Sequence, residues 1–481
     1  MAGISERPNA FFRLSPAESG KAQCFAVNRG GITGRADVIF HQPWIHARLA
    51  ALESARFPAE DMGQVIEVIR YGTSTPPPYM EPGHDTVPFI RATDIKDGEV
   101  SQDTLLHIEA AQPKQMDKCR LSGGELIIVR SGANTGDCAV VPNSLAGAYA
   151  AYDLILTFRA AAHASFIAMF LDTEAGRLQL NLVRGRAAQP HVNAEEVSTL
   201  RVPLPPPKIQ AQLVAAMETA RAERRAKLAE ANALLAGLDD YLLATLGLTP
   251  PPRPKTTFAL HTSELTGVIN PDRYRGLQLE KHLPFTGNVG AVGNLIEERC
   301  APEKEAPMEL WDWIRIDDLP NQPWQVETLR TEPGENIRGA FFKVEENDIL
   351  IARLGPTIQN SKFVLCPKLH RQTVASSEFL ILRCATVWQP EAVLWLLRTG
   401  LYREMMYARS RGATPSRYRL DGADLVTIPF PAMDEKTQKT IAAEASRRRD
   451  EARRLRFEAE AGWEAAKRWF EEQLLGPMRT Q

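Results

Sequence analysis

Along most of the chain the apolar positions fall in short runs of strand length. Val87-Pro88-Phe89-Ile90, Leu126 to Val129, Ala139 to Val141 and Leu154 to Phe158 are such runs, and Gly, Asn, Asp and Pro bound them. Runs of this kind predict short strands joined by turns. Helical spacing intervenes from Phe166 to Leu182 and again from Pro390 to Met406. Together these patterns predict an α+β body. Two stretches have another character. From Lys208 to Leu246 there is no Pro, and Gly237 is the only Gly; from Glu435 to Leu475 Gly462 is the only Gly. Val214, Met217, Arg221, Arg224, Leu228, Ala231, Leu235, Leu238 and Leu242 alternate at spacings of three and four. So do Ile441, Ala445, Arg448, Ala452, Leu455, Ala459, Gly462, Ala466 and Trp469. Sustained 3-4 spacing is the seam of a coiled coil. About 40 residues at 1.5 Å each make a rod of roughly 60 Å. A long amphipathic helix needs a partner for its stripe, and each helix is the best-placed partner of the other. The expected arrangement is an antiparallel pair; the plainer alternative is a single exposed helix at the end of each body.

The pattern occurs twice. Phe89-Ile90-Arg91-Ala92-Thr93-Asp94-Ile95 returns as Trp313-Ile314-Arg315-Ile316-Asp317-Asp318-Leu319, 224 positions later. Glu125 to Gly132 returns as Asp348 to Gly355 at an offset of 223, and Leu200-Arg201-Val202-Pro203-Leu204-Pro205 returns as Val426-Thr427-Ile428-Pro429-Phe430-Pro431 at 226. A nearly constant offset over three blocks indicates two similar domains, and two similar domains suggest one task performed at two places. Each copy ends in a proline brake, which suits a helix start and not a helix interior. The expected segments are an N-terminal extension over 1–34, a first domain over 35–207, a coiled-coil helix over 208–247 and a Pro-rich linker over 248–262. A second domain over 263–434, a second coiled-coil helix over 435–476 and a tail over 477–481 complete the chain. The fold class expected is thus α+β, with two similar α/β domains separated by two long helices.

Composition narrows the function classes. A chain of 481 residues is too long for one core and suggests roughly three domains. With 44% hydrophobic and 24% charged residues it has the profile of a soluble globular protein. There is no apolar run of membrane-spanning length, and no apolar stretch follows the charges of the first residues as in a secretory signal. The six cysteines, at 24, 119, 138, 300, 366 and 384, are scattered. Neither a disulfide framework nor a zinc site is expected, and the cytoplasm is the natural compartment. The formal net charge of −2 argues against a non-specific nucleic-acid coat but leaves room for a local basic surface.

Candidate chemistry is sparse. Amino-methyltransferases hold the target amine with an Asn/Asp-Pro-Pro-Tyr/Phe loop. Thr75-Pro76-Pro77-Pro78-Tyr79 has the shape, but Pro76 stands where the amide or carboxylate must be. Phe285-Thr286-Gly287-Asn288-Val289-Gly290 does not follow a clear buried strand, and a lone glycine pattern is weak. Pro271-Asp272 lacks an acid-x-Lys partner for a nuclease, and no phosphate-binding G-x-x-x-x-G-K-[ST] loop exists. His41, His46, His84, His107 and His163 are isolated. No catalytic residue and no metal ligand is expected in this chain.

The order of domain, long helix, domain, long helix resembles the specificity subunit of type I restriction-modification systems. The local motifs carry the resemblance from residue 35 to 476. Tyr71-Gly72-Thr73-Ser74-Thr75-Pro76 is similar to the turn that opens the family's target recognition domain. Pro88 to Gly98 is similar to the strand that follows it. Gly124 to Gly136 matches a later strand and turn, Gly185 to Val192 resembles a loop, and Val202 to Pro206 with Gln210 resembles the start of the long helix. Ile209 stands where Glu is usual, and Pro431-Ala432-Met433 where a double Pro is common. The resemblance implies recognition of a bipartite double-stranded DNA target, one half-site per domain, with the helices setting the distance. It implies two adenine methyltransferase subunits carrying S-adenosylmethionine, a restriction/translocase subunit using ATP and Mg, and a role in phage defence. This chain would itself hold no cofactor. Half-sites one helical turn apart lie about 34–36 Å apart, within reach of such a rod.

Reading bases needs Arg for guanine and Asn or Gln for adenine, and positioning on phosphates uses Arg, Lys, Ser, Thr and turn amides. The DNA-contact candidates of the first copy are Arg130, Ser131, Asn134, Arg184, Arg186, Gln189 and His191. Those of the second are Arg353, Arg409, Arg411, Thr414, Ser416, Arg417 and Arg419. The run Arg409 to Arg419 is the most basic loop with an aromatic in the chain, and Arg184-Gly185-Arg186 takes the equivalent place in the first copy. The coiled-coil candidates are Leu228, Leu235, Leu238, Leu242, Ile441, Leu455 and Trp469. Two other readings compete: the recognition subunit of another restriction enzyme type, with methylation and cleavage fused in the partner, and a coiled-coil scaffold with two protein-binding domains.

Overall fold

The computed structural model describes residues 41–183, 190–248, 258–265, 271–281, 283–319, 326, 329–339 and 341–476. The expected extension over 1–34, the prolines of the linker and the tail over 477–481 lie outside the described residues. The chain divides into two compact units, residues 1–227 with 457–481, and residues 228–456. Both divisions cut through the long helices, so each unit holds one α+β body and a part of both helices.

In the first unit a four-stranded antiparallel sheet is ordered Ile66–Tyr71, Leu154–Phe158, Leu126–Ile128, Cys138–Val140. Its central strands are apolar at every position but Thr157 because both faces are covered. Leu126, Ile128, Leu154 and Leu156 face a core with Phe166, Phe170 and Met217. The alternate residues Ile127, Val129 and Ile155 join Ile90, Ile95 and Val100 in a second core. Strand Thr86–Ile90 forms a second sheet, antiparallel to Leu106–Glu109 and parallel to Tyr149–Ala150.

The second unit repeats this plan. Its four-stranded sheet is ordered Gly293–Leu295, Phe379–Cys384, Ile349–Ala352, Phe363–Leu365. Ile349 and Ile351 face the helices while Leu350 and Ala352 face the other sheet. There Leu310–Ile314 pairs antiparallel with Arg330–Pro333 and parallel with Thr373–Ala375. Two more strands, Phe341–Lys343 and Arg299–Cys300, widen this second sheet to five. Full burial of each such Leu or Ile contributes about 1.5–3 kcal/mol.

Each stretch expected as one helix between sheet and proline brake is two helices. Ala164–Leu171 and Glu174–Val183 are separated at Thr173, and Pro390–Arg398 and Gly400–Arg409 at Thr399. Both threonines are buried, and each Oγ1 donates to the carbonyl three residues earlier, at 2.7 and 2.8 Å. A hydroxyl that bonds the backbone in this way competes with helix continuation. The apolar periodicity runs straight across the break, which hides it in the sequence.

The first long helix also differs from expectation. It spans Pro207–Ala236, and a separate helix Leu238–Thr245 follows Gly237. The second is continuous over Glu435–Leu475. In the first unit Arg224 bonds Glu460 and Lys227 bonds Glu458. In the second unit Arg456 bonds Asn232, and Arg448 Nη1 donates to the Gly237 carbonyl at 2.8 Å. Partner positions fall on one helix as they rise on the other, so the helices run antiparallel within each unit. Leu238 and Leu242 pack with Ile441 and Ala445, and Leu235 packs beside Ala231, Ala452 and Leu455. Leu228 is half-buried. Trp469 is not a seam residue: it is 40% exposed, and Gly462 is exposed too. Beyond Ala459 the buried stripe continues through Trp463, Phe470 and Leu474. The phase shift has a physical cause. These residues join the core of the first body, against Phe166 at a ring separation of 5.6 Å for Phe470, rather than a two-helix seam alone.

Each body is fastened to its long helix by a buried glutamine. Gln210 Nε2 donates to the Ala161 and Pro205 carbonyls, both at 2.8 Å, and its Oε1 accepts the His163 N–H at 2.9 Å. Gln438 Nε2 donates to the Val387 and Met433 carbonyls, and its Oε1 accepts the Gln389 N–H at 2.7 Å. In both cases the amide received is the N-cap of the first helix of the split pair. In the first unit the hairpin Ile95–Lys96 to Glu99–Val100 adds a further contact. Asp97 and Gly98 turn it with φ of 53° and 79°, as two-residue hairpin turns require. A Cβ on Gly98 would lie 3.0 Å from the Arg221 guanidinium, and Arg225 bonds Glu99 on the same hairpin.

Candidate nucleic-acid interface

In both units the same two loops meet. The Val192 N–H donates to the Arg130 carbonyl and the Leu420 N–H to the Arg353 carbonyl, each at 2.9 Å. The Gly132 N–H donates to the Pro190 carbonyl at 3.4 Å, and the Gly355 N–H to the Tyr418 carbonyl at 2.7 Å. Ser131 bridges His191 as Leu354 bridges Arg419. The strand registers agree, since Leu154 opposes Ile128 where Leu380 opposes Ile351. Arg130 therefore matches Arg353, His191 matches Arg419, and Tyr152 matches Glu378.

On this common frame the side chains differ. The Arg130 guanidinium lies over the rings of Tyr152, at 4.3 Å, and Tyr71, at 5.1 Å. Such stacking contributes about 1–2 kcal/mol where water is partly excluded. The Arg130 N–H donates to the Asp153 carboxylate at 3.1 Å. Burial pushes the Asp153 carboxyl up to about 6, against the lowering effect of the Arg130 N–H and charge. Asn134 sits half-buried in the turn from Gly132 to Gly136, whose end glycines have φ of 93° and 91°. Its carbonyl accepts the Asp137 N–H at 2.9 Å. His191 is exposed. Arg184, Arg186 and Gln189 lie outside the described residues.

In the second unit the turn is replaced by the short helix Gly355–Gln359. Arg353 donates from Nη2 to Asp421 at 2.6 Å and from Nε to the Leu420 carbonyl. Arg411 bonds Asp424 at 3.0 Å, and Arg419 bonds both oxygens of Glu378. Thr414, Ser416 and Arg417 are exposed, with the two hydroxyls 3.2 Å apart. Arg417 heads no ion pair among the described residues. The face thus carries four arginines against three carboxylates, a modest positive balance with directed donors. Arg409 is apart from it. It ends helix Gly400–Arg409, is buried, and forms a two-armed pair with Glu280, one arm at 2.6 Å. Its role in the fold is to neutralise a half-buried acid.

Tyr71, Tyr152, Glu378, Asp421 and Asp424 belong to these clusters and escaped the sequence reading. Tyr152 and Glu378 are 226 positions apart, the offset of the proline brakes. Extending the repeat past its apolar blocks would have paired them. The carboxylates are invisible to a search for basic residues, because their part is to hold arginines.

Residues 63–231 match the family model described as "Type I restriction modification DNA specificity domain". Over this segment the chain is similar to that family. A comparison with curated proteins found no match. Three solved structures are similar over most of their length. One, described under "complex assembly and conformational transition of the type I R-M system", is 15% identical, with 87% of this chain and 97% of that chain covered and a TM-score of 0.48. The HsdS subunit from Thermoanaerobacter tengcongensis is 16% identical, with coverage of 89% and 98% and a TM-score of 0.34. The type I restriction-modification S subunit from M. genitalium is 10% identical, with coverage of 89% and 98% and a TM-score of 0.41. Among the described residues no helix is long and apolar enough to cross a membrane.

Proposed function

We propose that this chain is the DNA-recognition subunit of a type I restriction-modification complex and reads a bipartite, asymmetric target. Each unit takes one half-site, through the face where the loop after its central strand meets the loop before its proline brake. The two long helices act as an antiparallel coiled coil that fixes the half-site spacing. Two adenine methyltransferase subunits and a restriction/translocase subunit dock on the chain and bring S-adenosylmethionine, ATP and Mg. The chain contributes recognition and no catalysis. The observation that carries this reading is the duplicated loop pairing, in a chain whose first copy matches a DNA specificity domain. Different side chains on one frame suit two unlike half-sites.

The test is footprinting of the chain co-expressed with its methyltransferase subunits. Two protected segments with unlike sequences, separated by a spacer of free sequence, are expected. An assembled complex with no sequence preference would instead favour a protein-binding scaffold.

A further inference from the structure

Arg419 and Glu378 form an unusual pair for an exposed basic loop. Arg419 Nε donates to one Glu378 oxygen at 3.1 Å and Nη2 to the other at 2.7 Å. The side edge of the guanidinium is therefore committed. Its outer edge, with the remaining Nη1 and Nη2 hydrogens, has no partner among the described residues. Both side chains stay accessible, at 53% and 33%. Both backbones are fixed. Arg419 exchanges two hydrogen bonds with Arg411, at 2.8 and 2.9 Å, and the Glu378 carbonyl accepts the Arg353 N–H at 3.0 Å.

This arrangement favours direction over charge. A carboxylate in contact cancels most of the field that would draw a phosphate, yet it leaves two parallel donors aimed outward. A guanidinium with its side edge held is pre-organised to give a second pair of hydrogen bonds. In the major groove the partner that presents two acceptors to such a fork is guanine, through O6 and N7. Arg417, two residues away and without an acidic partner among the described residues, suits phosphate contact instead. We infer that Arg419, positioned by Glu378, reads a guanine in the half-site of the second unit. The inference rests on the reading of that unit as a DNA-recognition domain.

The test uses the full complex with its methyltransferase subunits. Duplexes carry the motif found by sequencing the methylated sites of a host, with each base of the second half-site replaced in turn. The wild-type complex is expected to prefer guanine at one position by roughly ten- to hundredfold. Arg419→Lys keeps the charge and loses the fork, so that preference should collapse while other positions keep theirs. Glu378→Gln should weaken the same preference and raise affinity for all duplexes, because a negative charge is removed. Thermal unfolding of both variants should match the parent, since both side chains are partly exposed. A uniform loss over all sequences in Arg419→Lys, or an unchanged guanine preference in both variants, overturns the inference and leaves the recognition reading intact. A wild-type complex without any sequence preference overturns both.

Discussion

At matched positions the first unit presents Arg130, Tyr152 and His191, and the second presents Arg353, Glu378 and Arg419. The backbone bonds beneath them are the same, including the 2.9 Å bonds from Val192 and Leu420. In one unit a guanidinium is spent against two tyrosine rings; in the other, arginines are propped by carboxylates. The difference teaches where variation is tolerated. Buried strands, split helices and glutamine anchors repeat because packing and hydrogen-bond satisfaction leave few alternatives. The exposed ends of the meeting loops carry no such constraint and can be rewritten.

The largest expected effect separates a structural arginine from a reading one. Arg409→Ala removes the partner of the largely buried Glu280 carboxylate and should cost up to about 3 kcal/mol of stability. Arg417→Ala should stay within about 0.5 kcal/mol of the parent. Denaturant unfolding measures both, and equal losses would erase the distinction drawn within this run of basic residues.

Next in size are the anchors. Gln210→Leu and Gln438→Leu each strand a partly buried amide N–H and two carbonyls. Each should destabilise by about 1–3 kcal/mol. Similar values are expected because the two sites make the same bonds. A large effect in one and none in the other would show that the glutamines are not equivalent.

The smallest effect falls on binding alone. Arg417→Ala in the assembled complex should weaken affinity for specific and non-specific DNA alike, and lower the salt slope by about one. An unchanged slope would remove this residue from the phosphate-contacting surface.

Much of the frame was legible in the sequence. The repeat offset, the apolar runs and the proline brakes anticipate several of the strands and both long-helix starts. Three things were not. Thr173 and Thr399 break helices through a hydroxyl bond that apolar periodicity does not register. The seam of the second long helix changes phase after Ala459, because a 3-4 pattern does not say whether a helix meets a helix or a whole body. At the candidate face, residue type pointed to arginines but could not tell the buried pair of Arg409 from the exposed fork of Arg419. That distinction depends on Glu280 and Glu378, which lie 129 and 41 positions away in the chain.

The central claim is that two unlike readers share one frame. Sequencing the methylated bases in a host carrying the whole system tests it most directly. One asymmetric motif in two separated parts is expected, with a spacer of fixed length and free sequence. A single uninterrupted motif, or two identical halves, would contradict it.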